Sequence, residues 1–160
     1  LLIASVFVLT GCGKADKTSS NSFNRENSQI AGETAVFQCI DSQSVCDIKN
    51  EYGEFLVQFD KSIILTELPF NVSVSHQGKA VVNKVTAYME GKEMFMGKVP
   101  VFFSSDADNV NKKFIAESML ASCAEEVMTW VIHIEAEGIT EDGEKFSTIF
   151  MLEFDSKRSD

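Results

Sequence analysis

The stretch Val127-Met128-Thr129-Trp130-Val131-Ile132-His133-Ile134-Glu135-Ala136-Glu137 sets the architecture. Met128, Trp130, Ile132 and Ile134 fall on one side of an extended chain, and Thr129, His133, Glu135 and Glu137 on the other. A period of two is that of a strand with one buried face. Glu141-Asp142-Gly143 follows as a hairpin signal. Beyond it Phe146, Thr148, Phe150, Leu152 and Phe154 alternate in the same way. Two long antiparallel strands with one apolar face need a second layer to cover them.

Working back along the chain, further runs supply that layer: Glu54–Phe59, Ile63–Leu65, Phe70–Ser75, Ala80–Met89, Met94–Phe103 and Lys113–Leu120, with the last strand spanning Glu144–Phe154. Val, Ile, Phe and Thr are frequent in them, as strands prefer. Ala116–Glu126 is the least strand-like part and can hold a helical turn instead. No stretch sustains a helical period, and there are no internal repeats. Residues 35–160 are therefore expected to form an all-β domain, an immunoglobulin-like antiparallel β-sandwich of about seven strands.

The N-terminal part has another character. Leu1-Leu2-Ile3-Ala4-Ser5-Val6-Phe7-Val8-Leu9-Thr10 is apolar and uncharged, too short to span a bilayer but of the length of a secretory h-region. No Met and no basic n-region precede Leu1, so the export signal is expected to lack its first few residues as written. Leu9-Thr10-Gly11-Cys12 matches the lipoprotein cleavage box, with small residues entering a narrow peptidase cleft. The expectation is a signal peptide at 1–11, diacylglyceride on Cys12, and a polar tether over 12–34. Lipid contributes about 0.8 kcal/mol per buried methylene, so two or three acyl chains anchor firmly. Gly13, rather than Asp, after the lipid cysteine favours the outer membrane, facing the periplasm. The protein is thus expected in the cell envelope, where thiols oxidise.

The net charge of −10 argues against a nucleic-acid partner or an anionic-membrane surface. Enzyme motifs are lacking: His76 and His133 stand in no ligand or triad spacing, and no glycine-rich phosphate loop occurs. The acidic residues are scattered over solvent faces. Asn71-Val72-Ser73 matches a glycosylation sequon that a bacterial lipoprotein has no evident use for. No catalytic activity is expected.

Sulfur is the informative chemistry. Three of the six methionines, Met89, Met94 and Met96, lie in Tyr88–Pro100. If Glu90-Gly91-Lys92-Glu93 closes a hairpin, Met89 and Met94 become cross-strand neighbours about 5 Å apart, with Met96 on the same face. Thioethers are neutral, soft donors suited to Cu(I) in an oxidising space. The competing reading is core filling, since methionine adapts to irregular gaps and Met89 is in register with Val81, Val85 and Ala87. A second cluster is Met119, Cys123, Met128 and Trp130. Cys123 could add a thiolate and Trp130 a capping π face, or both could be ordinary core residues.

With Cys12 lipidated, Cys39, Cys46 and Cys123 remain. A local Cys39–Cys46 disulfide would contribute roughly 2–3 kcal/mol in the chain-entropy model and leave Cys123 free. Pairing of Cys123 with either of the others stays open.

At these residues the chain resembles small exported proteobacterial lipoproteins encoded beside copper chaperones of cytochrome oxidase assembly. They share a Cys pair, a Gly-Met-x-Met-x-Met-Gly-like turn, and a Cys followed by Trp. The corresponding stretches are Cys39 and Cys46, Glu90-Gly91-Lys92-Glu93-Met94-Phe95-Met96-Gly97, and Cys123 with Met128-Thr129-Trp130. The turn is more loosely similar to YtkA-like and FixH-like domains. Methionine clustering, the oxidising compartment and this resemblance together lead to the expectation of copper handling or sensing in the envelope, with Cu(I) at Met89, Met94 and Met96 and Cys123 as a fourth ligand. The alternative is a metal-free interaction or structural lipoprotein docking another envelope protein.

Overall fold

Alternation in the last third of the chain becomes the longest pairing in the molecule. In the computed structural model, which describes the backbone of 35–37 and the whole of 44–105 and 113–159, β10 (Val127–Ile139) and β11 (Lys145–Lys157) pair antiparallel from Val127 opposite Lys157 to Ile139 opposite Lys145. The connecting loop is closed by Thr140 N–H to Glu144 O and Gly143 N–H to Thr140 O, with Gly143 at φ 83°. A positive φ is cheap only without a Cβ.

The other strands are β1 (Ala35–Phe37), β2 (Val45–Asn50), β3 (Gly53–Phe59), β4 (Ile64–Leu65), β5 (Phe70–Gln77), β6 (Val81–Gly91), β7 (Val99–Val101), β8 (Ser104–Ser105) and β9 (Lys113–Ser118). One sheet runs β1-β11-β10-β6-β7, with β4 also on β11; the other runs β2-β3-β5-β9-β8. Pairing is antiparallel except for β1 and β4, which lie parallel to β11. This is the all-β sandwich that the alternation predicts. No helix occurs among the described residues, and 119–126 is irregular rather than a helical turn.

Aromatic side chains join the layers. Phe55 meets Phe150 at 5.4 Å between ring centroids, and Phe59 meets Phe154 at 4.9 Å. Burying each such ring contributes about 1.5–3 kcal/mol. At the floor of the core Trp130 Nε1 donates to Ser156 Oγ at 3.0 Å, so the indole is both packed and satisfied.

Three expectations need correction. Met94–Phe103 is not one strand: only Val99–Val101 pairs with β6, and 92–98 is a loop with Gly97 at φ 75°. Pro100, lacking an N–H, is tolerated because β7 is an edge. Met89 therefore lies opposite Val99 and not Met94. Finally, a register shift between Glu137 and Gly138 turns Val82 inward and leaves Val81 exposed. The edge strands β1 and β2 were not among the expected runs. The signal peptide 1–11, Cys12, the tether 12–34 and Cys39 lie outside the described residues.

The two ends of the sandwich differ. At one, Tyr52 stacks on Phe146 at 4.2 Å beneath a cleft whose rim carries both signs of charge, Glu51, Glu141, Asp142 and Glu144 with Lys145 and with Lys79, which pairs with Glu141 at 3.1 Å. At the other, the 92–98 and 119–126 loops gather the sulfur chemistry.

Candidate functional site

Strand β6 ends at Gly91, and the backbone continues along β10: Lys92 N–H donates to Thr129 O at 2.9 Å. The missing side chain at Gly91 matters. A Cβ there would overlap both Met128 Cε and the Met94 carbonyl oxygen. The notch accepts the methyl of Met128 and lets the Met94 backbone pass close by.

Met128 is buried on β10, and from there its sulfur reaches the second loop. Cys123 Sγ lies 3.6 Å from Met128 Sδ and 3.7 Å from Glu125 O. The 119–126 loop holds Cys123 in place at several points. Leu120 is fully buried, and its carbonyl accepts from Glu67 N–H at 2.8 Å. Arg158 binds the far side, through its N–H to Glu126 O and its Nη1 to Ala124 O. Cys123 is half-buried and free, whereas Cys46 is bonded as a disulfide and buried in the core.

The expected ligands are thus distributed unequally. Met89 has 0% exposure, sealed between Ile132 and Val99 in register, so it belongs to the core. Met94 is 42% exposed in the loop, and Met96 packs half-buried against the core. The sulfurs that do meet are those of Cys123 and Met128, with the Met94 backbone against the same notch. Sequence grouped Met128 with Cys123 but left it out of the ligand set; what the spacing could not show is the Gly91 notch. Trp130 is a core residue.

This pair can hold a soft ion. With metal–sulfur bonds near 2.3 Å, as zinc–thiolate bonds are, two sulfurs sharing one ion in trigonal geometry stand about 4 Å apart. A small outward movement of Cys123 reaches that spacing. Among the described residues no group of three or more His, Cys, Asp or Glu side chains gathers to hold a harder ion.

His133 is not a free surface residue. Its Nε2 is 2.8 Å from Glu90 Oε1, and its ring stacks on Tyr88 at 4.4 Å. Lys98 Nζ lies 4.0 Å from the Tyr88 centroid. The Glu153 hydrogen bond at 2.7 Å holds the Lys92 ammonium above its ordinary pKa. Both feet of the 92–98 loop are thereby fixed on the outer sheet face.

No protein-family model and no curated protein matches the sequence. Among solved structures the chain is similar to a DUF4785 family protein from Legionella pneumophila, with a TM-score of 0.51 and 12% identity over 69% of this chain and 30% of that one. The chain spans less than a third of that protein's length, and at this identity the likeness carries the fold alone.

Proposed function

We propose that this chain is a lipid-anchored, non-catalytic binding module of the cell envelope that holds Cu(I) at its sulfur-bearing end. The observation that carries the reading is the Cys123 Sγ–Met128 Sδ contact of 3.6 Å at a half-buried, free thiol. Cys123 would supply the anionic thiolate and Met128 a neutral thioether. Met94, on the exposed loop, would close a third position. Met89 takes no part, because reaching the ion would empty its place in the core. The Cys46 disulfide is assigned to Cys39 on the same reading, with Cys12 lipidated and Cys123 left for the metal.

Competition against a Cu(I) chelator, in ascorbate so that disulfides survive, tests this reading. Cys123→Ser and Met128→Leu should each weaken Cu(I) binding by about tenfold or more, the equivalent of 1.4 kcal/mol. Met89→Leu should leave it unchanged. Equal binding in all four proteins would sink the proposal. That outcome would favour a metal-free interaction lipoprotein, for which the core position of Met89 already speaks.

A further inference from the structure

The outer face of the sheet β1-β11-β10-β6-β7 carries a polar arrangement that the sulfur-bearing end does not use. His133 and Glu135 are alternate residues of β10 on that face. Each is held by a residue from a neighbouring strand. His133 Nε2 meets Glu90 Oε1 of β6 at 2.8 Å, and Ser147 Oγ of β11 donates to Glu135 Oε1 at 2.7 Å. Tyr88 stacks on the imidazole with centroids 4.4 Å apart and planes 11° from parallel, which fixes the plane of the ring. The side chains of His133 and Glu90 keep only 19% and 33% exposure.

These contacts determine which atoms are left over. A carboxylate accepts and does not donate, so Nε2 carries the proton in the contact with Glu90, and Nδ1 of the neutral ring keeps its lone pair. Glu135 stands in no ion pair among the described residues; Lys84, whose ammonium feels its charge, is bonded to Glu137 at 2.7 Å. Thr86, opposite Glu135 in register, adds a hydroxyl. A cleft of about 200 Å³ opens beside them, lined by Thr86, Tyr88, His133, Glu135 and Ile149. Lys98 lies 4.0 Å from the Tyr88 centroid and does not line it. A ring nitrogen and a carboxylate oxygen thus border one cleft that is small for an organic ligand, whose pockets run to about 300–1,000 Å³.

We propose that His133 Nδ1 and Glu135 bind a divalent ion of the Zn(II) class on this face. Imidazole nitrogen and carboxylate oxygen are donors that such an ion takes, at about 2.0–2.2 Å. A histidine that ligates through one nitrogen characteristically gives its other N–H to a carboxylate, and a ligating carboxylate is itself hydrogen-bonded. Both supports are in place: Glu90 behind His133, and Ser147 behind Glu135. With two protein donors rather than three, water fills the remaining positions and the ion exchanges readily. The site depends on neither the sulfur pair nor the lipid anchor. Sequence spacing did not mark His133 as a ligand, because the residues that orient it and Glu135 stand on other strands.

The unsubstituted chain provides the first test. In proton–nitrogen correlation spectra of the imidazoles, recorded above the ordinary histidine pKa, His133 should show a protonated Nε2 and a bare Nδ1. Added zinc(II) chloride should shift the Nδ1 resonance and leave Nε2 protonated. His76, whose Nε2 lies 2.9 Å from Tyr52 O, should not respond. In competition with a zinc indicator, His133→Gln and Glu135→Gln should each weaken binding about tenfold or more. Glu90→Gln, a change in a positioning residue, should weaken it about tenfold and spread the ring over both tautomers in the same spectra. Cys123→Ser should bind as the parent does. An Nδ1 resonance that does not move in excess zinc, or equal affinity in the parent and His133→Gln, would overturn the proposal. So would binding that is lost in Cys123→Ser and kept in His133→Gln, which would give the ion to the sulfur-bearing end.

Discussion

Trp130 and Ser156 form a buried polar pair in an otherwise apolar layer, each about 1% exposed. Removing only the acceptor leaves a buried indole N–H with no partner, which costs about 1–3 kcal/mol. Ser156→Ala should lower the urea midpoint accordingly with an unchanged m-value. Combined with Trp130→Phe the loss should be less than the sum of the singles, because the orphaned donor is gone. Asp60 carries a pH dependence. Burial pushes its carboxyl up, but the Asn71 backbone N–H at 2.8 Å, the Asn71 side chain at 3.0 Å and Lys61 outweigh it and hold it below the ordinary 3.8. A carboxyl depressed in the folded state stabilises fully above its unfolded pKa and loses that contribution as pH falls through the folded one. The stability curve of the parent should therefore fall below about pH 4 more steeply than that of Asp60→Asn. Parallel acid limbs would refute the assignment.

Gly91 acts at the scale of the element, since it ends β6 and admits its neighbours. Gly91→Ala would push against Met128 Cε and the Met94 carbonyl, and the backbone contact cannot rotate away. We expect a loss of about 1–3 kcal/mol, as for overpacked sites, together with weaker Cu(I) binding as Met128 is displaced from Cys123. Gly97→Ala is the control: a Cβ there meets nothing, so only the positive φ of 75° is penalised, at about 1 kcal/mol. The same loop shows where sequence misleads. Met94, Met96 and Lys98 alternate with Phe95 and Gly97 as a strand would, yet Gly97 turns and only Val99–Val101 pairs. By contrast the faces of β10 and β11 were legible residue by residue, because alternation persists through thirteen positions in each. Strand β2 escaped notice because an edge strand carrying Asp47, Lys49 and Asn50 shows little apolar period.

At the scale of the whole molecule, periodicity gives the layers, whereas their pairing partners depend on contacts between distant residues. The meeting of Cys123, Met128 and the Gly91 notch needs the β6–β10 register and the anchoring of a loop by Leu120 and Arg158, none of which has a local signature. The layers themselves are held by rings that belong to both. Phe59 on β3 lies 5.8 Å from Phe70 in its own sheet and 4.9 Å from Phe154 in the other. Phe59→Ala would open a cavity between the sheets, with a cost of about 3–5 kcal/mol; Phe59→Leu, keeping most of the volume, should cost less. Because Phe154 lies on the strand that also carries Ser156, opposite Met128 in register, loosening there reaches both layers at once. The chain should accordingly unfold in one step, with far-ultraviolet and near-ultraviolet circular dichroism following a single shifted transition. Two separated transitions in Phe59→Ala would mean that each sheet holds a core of its own and that the aromatic bridge is not what joins them.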